Sequence, residues 1–166
     1  VLGEGDPHAS LMFIGEGPGQ QEDLTGRPFV GAAGQLLDKM LAAIGMTRDQ
    51  VYICNIVKCR PPNNRVPEAD ERAACMDYLR QQVALVRPKV IVCLGSTPTR
   101  ALLGDHMRIT RDRGVWQLRQ CVSFMPTFHP AALLRDLDKK RPAWEDFKAI
   151  RDKLIELGAY EPRIGQ

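Results

Sequence analysis

The sequence predicts a three-layer α/β/α fold built on a small, mainly parallel four-stranded sheet. Short apolar runs of strand length alternate with longer helical stripes, the order that gives a parallel sheet covered on both faces. Glycine, proline and asparagine punctuate the junctions. A length of 166 residues, 44% hydrophobic and 26% charged, fits one domain spanning 1–166 around one sizeable core.

Leu11-Met12-Phe13-Ile14 reads as a buried strand running into Gly15-Glu16-Gly17-Pro18-Gly19. From Gly34 to Ile44, apolar residues at 36, 37, 40, 41 and 44 form a helical stripe closed by Gly45. Val51 to Val57 is the second strand, followed by the polar loop Pro61-Pro62-Asn63-Asn64-Arg65. Pro67 opens a long helix whose first turn carries Glu68, Asp70 and Glu71, and Pro88 stops it near Arg87. Val90 to Leu94 is a third buried strand, and Gly95-Ser96-Thr97-Pro98 turns into a short helix ending at Gly104. Val115 to Leu118 and Val122 to Phe128 are further strands, the latter leading into His129-Pro130. A last helix from about Pro142 sets Trp144, Phe147, Ile150, Leu154 and Leu157 on one face and ends at Gly158. Ligands of open parallel sheets bind beyond the carboxyl ends of the strands. The segments 15–19, Asn55 onward, and His129 would therefore gather on one rim.

The net charge of +3, from 23 Lys+Arg against 20 Asp+Glu, permits nucleic-acid binding without requiring it. Arg108, Arg111, Arg113 and Arg119 form one basic stretch and Lys139, Lys140 and Arg141 another; both also read as solvated surface. No apolar run reaches the roughly 18 residues of a membrane span, and no charged-then-apolar leader opens the chain. It begins with Val1, so its natural start is expected to lie upstream. Five cysteines do not make a secreted disulfide scaffold, and Cys54 and Cys93 sit in apolar runs. A reducing compartment, the cytoplasm, is expected.

Four stretches carry chemistry. Gly15 to Gly19 lacks the third glycine of a dinucleotide loop and the Gly-Lys-Ser/Thr of a phosphate loop. A tight turn beside Glu16, Glu22 and Asp23 remains, suited to developing positive charge or a held water, or to a plain strand–helix turn. Phe29, in Gly26-Arg27-Pro28-Phe29-Val30-Gly31-Ala32-Ala33-Gly34, is either a fixed stacking platform for a base or a core residue. Asn55 offers one acceptor and two donors in a plane, enough to read uracil N3–H and O4 and reject cytosine, or to satisfy a turn. His129 can donate to charge developing on a leaving group, and Leu133-Leu134-Arg135 fits a wedge with a phosphate contact; equally, they cap and pack a helix. His8 and His106 read as surface residues.

Together these stretches resemble the family 4 uracil-DNA glycosylases. The shared motifs are G-E-G-P-G-x-x-E-D, G-R-P-F-V-G-x-A-G-x-L-L-D, N-I-V-K-C-R-P-P-x-N-R and H-P-A-x-L-L-R, in order over roughly residues 3 to 135. The resemblance implies excision of uracil from DNA without a cofactor in the chemistry. Phe29 would stack on the flipped base, Asn55 read its edge, and Glu22 crowd its 5-position. His129 would steady the departing anion, while Glu16, Gly17 and Asn64 lie near the sugar and attacking water. Gly17 stands where some other glycosylase families carry an aspartate. Leu133, Leu134, Arg135 and Arg65 would meet DNA. The family also carries a structural [4Fe–4S] cluster on four cysteines, two of them in an upstream C-x-x-C that this sequence lacks. Cys75 matches one ligand position and Cys93 is the expected partner, with Cys54, Cys59 and Cys121 as inert thiols. The expected partners are uracil-containing DNA and replication-clamp or repair proteins, for a monomer without membrane contact. Some relatives trap DNA through a histidine in a longer loop; the short His-free 61–65 loop predicts turnover instead. The rival readings are a non-catalytic DNA-binding module of the same fold and a nucleotide-binding α/β enzyme.

Overall fold

A computed structural model of the protein describes residues 3–58 and 68–163. Its strands are β1 (Glu4–Gly5), β2 (Leu11–Gly15), β3 (Tyr52–Asn55), β4 (Val90–Leu94), β5 (Gln117–Arg119) and β6 (Val122–Thr127). They form one sheet in the order β1-β3-β2-β4-β6-β5. The inner four, β3, β2, β4 and β6, run parallel, as predicted; β1 and β5 add antiparallel edges, making six strands rather than four. The two-residue β1 is too short to leave an apolar run in the sequence.

The helices are α1 (Gln20–Thr25), α2 (Ala32–Ala43), α3 (Ala69–Val86), α4 (Ser96–Leu103), α5 (Ile109–Asp112), α6 (Pro130–Arg135) and α7 (Lys140–Glu156). All five residues of β2 and of β4 are buried, because both faces of the sheet are covered. On one face Phe13, Val92 and Met125 pack against Leu37 and Leu41 of α2 and Phe147, Ile150 and Leu154 of α7. The Phe13 and Phe147 rings lie 5.8 Å apart. On the other, Met12, Ile14, Cys54 and Cys93 meet Cys75, Leu79 and Val86. The three layers expected from the sequence are present. α3 stops at Val86 and Arg87 turns to φ +55°, as Pro88 dictates. α7 begins two residues before Pro142, and Leu157 is exposed rather than on its apolar face.

Two links outside the layers matter for the site. Arg113 of the 108–119 basic stretch makes a two-pronged pair with Asp146 of α7 at 2.8 and 3.0 Å, and Thr127 Oγ1 donates to the same carboxylate at 2.6 Å. This pins the carboxyl end of β6 to α7. The segment 159–163 folds back on residues 44–50: Tyr160 Oη donates to Ile44 O at 2.5 Å, Gln50 Nε2 to Glu161 O at 2.6 Å, and Arg163 Nη1 to Asp49 at 2.7 Å. No described helix is long and apolar enough to cross a membrane.

Candidate active site

The register sets Gly15 beside Asn55 and Leu94 beside Thr127 at the carboxyl ends of the parallel strands. A cleft of about 690 Å³ opens above this rim, lined among others by Glu16, Glu22, Phe29, Asn55, Ser96 and His129. The three segments expected there from sequence all arrive. Gly95 and Ser96, where β4 passes into α4, join them. The signal was their position after a parallel strand.

Phe29 adopts φ +52°, a backbone region that a bulky side chain rarely occupies. The turn throws its ring over Gly15. A β-carbon built on Gly15 would stand 2.5 Å from both Phe29 Cζ and Asn55 Oδ1. The ring and the amide thus converge on one point, and glycine leaves the space for them. The Phe29 and His129 rings are 5.5 Å apart at 30°. The aromatic plane, the amide and the imidazole therefore enclose one small volume.

Asn55 is buried, and its Oδ1 has no hydrogen-bond partner. A buried acceptor left unmet costs about 1–3 kcal/mol, so the position favours a ligand that brings a donor. Lys58 Nζ donates to the Asn55 carbonyl at 2.7 Å, fixing the backbone that carries this amide. His129 caps α6: its Nδ1 accepts from the Ala131 N–H at 3.0 Å. Nδ1 therefore carries no proton, and Nε2 holds the ring proton as a donor. Burial pushes the imidazole pKa down to about 4, assisted by the Arg135 charge and opposed by Glu22.

Glu16 and Gly17 line the cleft, and Glu16 Oε2 accepts from Thr97 Oγ1 at 2.7 Å. Glu22 also lines it, but its carboxylate is committed to backbone. Oε1 accepts from Gly19 N–H at 2.9 Å; Oε2 accepts from Val30 N–H at 3.0 Å and Gly31 N–H at 2.7 Å. It ties the glycine loop to the Phe29 turn. The Gly19 bond has the N-cap to N3 spacing of a capping box, whereas no spacing announces the bonds to Val30 and Gly31.

One expectation needs correction. Leu133 is not free to meet DNA: it is 1% exposed and packs with Phe128 and Ala143, while Leu134, its neighbour on α6, is 47% exposed. Of the 108–119 arginines, Arg113 is spent on Asp146, and Arg111 pairs with Asp112 at 2.9 Å. Arg135 is exposed at the mouth of the cleft. Asn64, Arg65, Cys59 and the 61–65 loop lie outside the described residues.

The cysteines divide by environment. Cys75 Sγ accepts from the Lys58 backbone N–H at 3.3 Å. Cys93 is fully enclosed in β4, and burial raises its thiol to about 12. It stands within the strand among Met12, Ile14 and Ile91, on the sheet face that also carries Cys54 and meets Cys75. Among the described residues no group of three or more His, Cys, Asp and Glu side chains is placed to hold a metal ion.

The family model described as the uracil DNA glycosylase superfamily matches residues 2–148. The chain is similar to a type-4 uracil-DNA glycosylase of Sulfurisphaera tokodaii, 49% identical over 96% of this chain and 77% of that protein. It is equally similar to a type-4 uracil-DNA glycosylase of Thermotoga maritima, 49% identical over 95% of this chain and 84% of the relative. A type-4 uracil-DNA glycosylase of Archaeoglobus fulgidus is 44% identical over 90% of this chain and 79% of its own.

Proposed function

Because the chain belongs to the uracil DNA glycosylase superfamily, we propose that it hydrolyses the N-glycosidic bond of deoxyuridine flipped out of DNA, releasing uracil and leaving an abasic site. The observation that carries this reading is the unmet Asn55 Oδ1, held beside the Phe29 ring and a neutral His129. Uracil presents an N3–H donor to that oxygen and an O4 acceptor to the amide nitrogen. Cytosine presents the reverse pattern.

Two rings 5.5 Å apart leave too little room for a base between them. The uracil therefore lies against the Phe29 face with its O2 toward His129 Nε2. Extrusion from the stack costs a few kcal/mol, offset by stacking and the new hydrogen bonds. The C1′–N1 bond breaks, electrons pass to the uracil ring, and the sugar becomes oxocarbenium-like. The His129 Nε2–H donates to the charge growing on O2; a fixed donor of this kind contributes about 2.7–4 kcal/mol. Water then attacks C1′ beside Glu16 and the Gly17 backbone, and the proton it gives up balances the charge of the departing uracil anion. Gly17 carries no carboxylate, so it supplies no base. Glu22, held rigid by three N–H groups, is a fixed wall at the 5-position that a thymine methyl would meet. Leu134, Arg135 and Arg65 serve the DNA.

A [4Fe–4S] cluster would be structural, with Cys75 as one ligand. Cys59 follows Lys58 directly in sequence and is the better second thiol than Cys93. Iron content is expected to fall with Cys75→Ser and Cys59→Ser and to stay unchanged with Cys93→Ser. The unpaired Cys54, Cys75, Cys93 and Cys121 suit a reducing compartment.

The test of function is alkali-labile abasic sites in uracil-containing oligonucleotide. Wild type is expected to form them. Asn55→Asp is expected to excise uracil about 10- to 100-fold more slowly, the worth of a buried polar contact. No abasic sites from the wild type would favour a non-catalytic DNA-binding module.

A further inference from the structure

We infer that Arg48 is a positioning residue for uracil excision, acting only through the aromatic platform at Phe29. The inference rests on the reading of Phe29 as the surface against which the base stacks. Phe29 stands in the left-handed backbone region at φ +52°. A bulky L-residue holds that conformation only where its surroundings impose it.

The surroundings here are specific. Arg48 opens a single 3-10 turn, Arg48–Gln50, well away from the strand ends that carry the other site residues. Its guanidinium reaches back to two consecutive carbonyls of the strained turn: Nη1 donates to Phe29 O at 2.7 Å and Nη2 to Pro28 O at 2.6 Å. The guanidinium is itself oriented from two sides, by Asp38 Oδ1 on α2 at 3.0 Å and Glu4 Oε1 on β1 at 3.3 Å. Glu4 stays ionised, since the hydrogen bond from Arg27 holds its carboxyl below the usual range. Arg48 Nε is buried with no partner. An arginine kept in that position at the expense of one donor serves location rather than general stability.

The turn is closed by α2 and Glu22 as well. A β-carbon on Gly34 would come within 1.9 Å of Phe29 O, so α2 lies directly against that carbonyl. Glu22 holds the N–H groups of Val30 and Gly31. Among the described residues, Arg48 alone fixes the Pro28 and Phe29 carbonyls by charge-assisted bonds, two from one rigid fork, a geometry lysine cannot reproduce. Arg48 is among the residues lining a surface depression with Glu4, Asp6 and Arg27, separate from the cleft, so it touches no base.

The experiment is a double-mutant cycle on single-turnover excision, run with Arg48→Lys and Arg48→Gln in the wild-type and Phe29→Ala backgrounds. Glu4→Gln, which loosens the same guanidinium without removing it, is the third variant should the arginine replacements unfold. Binding to abasic DNA and the thermal midpoint are measured alongside. Arg48→Lys is expected to slow excision at least tenfold in the wild-type background, with abasic-DNA affinity within twofold. Glu4→Gln is expected to act in the same direction by a smaller factor. In the Phe29→Ala background, each change is expected to alter the rate by less than twofold. Equal fold losses in both backgrounds, or no loss in the wild-type background, would overturn the role of Arg48. An undiminished rate for Phe29→Ala alone would instead overturn the stacking role of Phe29, and this inference with it.

Discussion

Gly15 shows how much the site depends on an atom that is not there. A methyl group at this position would meet Asn55 Oδ1 and Phe29 Cζ at 2.5 Å, and neither can withdraw, since one is fixed by β3 and the other by a strained turn. Gly15→Ala is expected to lower excision about 100-fold, the effect of a misplacement of about 1 Å. The stability loss should stay near the 1–3 kcal/mol of overpacking. Single-turnover rates and urea unfolding check this together. Asn55 and His129 were legible near the ends of predicted strands, and Phe29 from the proline and glycines around it. What their neighbours do was not. Glu22 bonds to N–H groups eight and nine positions on, and Arg48 to carbonyls 19 and 20 positions back. No periodicity encodes such separations.

At the scale of elements, α6 divides two adjacent leucines. Leu133 turns into the core and Leu134 into solvent beside Arg135. Leu133→Ala is expected to destabilise the protein by about 2–5 kcal/mol through a cavity. Leu134→Ala should change stability by less than about 0.5 kcal/mol while slowing excision from duplex DNA, where a wedge is needed to unstack a base. Thermal unfolding and duplex excision assays separate the two. The sequence could not make this division, because a six-residue helix gives too few turns for an apolar stripe to show. Longer elements were plain: α2, α3 and α7 follow their predicted bounds within a few residues, each marked by Gly or Pro.

Over the whole molecule, folding stability is tied to pH through the site itself. His129 has a folded pKa of about 4 against an ordinary value near 6.5, mainly because burial disfavours its charge. The unfolded chain therefore binds the proton first as pH falls. Stability is full above about pH 6.5, declines between 6.5 and 4, and levels below 4, a loss of up to about 3 kcal/mol. Urea unfolding from pH 4 to 8 should show this slope, and His129→Gln should remove it. The parallel core of the sheet was readable because four buried strands leave four apolar runs. The edges were less so: β1 has two residues, and β5 is three residues at a solvent-facing margin. The fold-back of 159–163 left no trace, since it is held by single long-range bonds split between backbone carbonyls and side chains.

That fold-back has a bearing on how the site is braced. The turn bearing Arg48 is gripped through Asp49 and Gln50 by residues 114 and 111 positions downstream, and through Arg48 itself by Glu4, 44 positions upstream. The support beneath the base is thus shared between stretches far apart in sequence, and fraying of either one loosens a turn that neither of them touches directly.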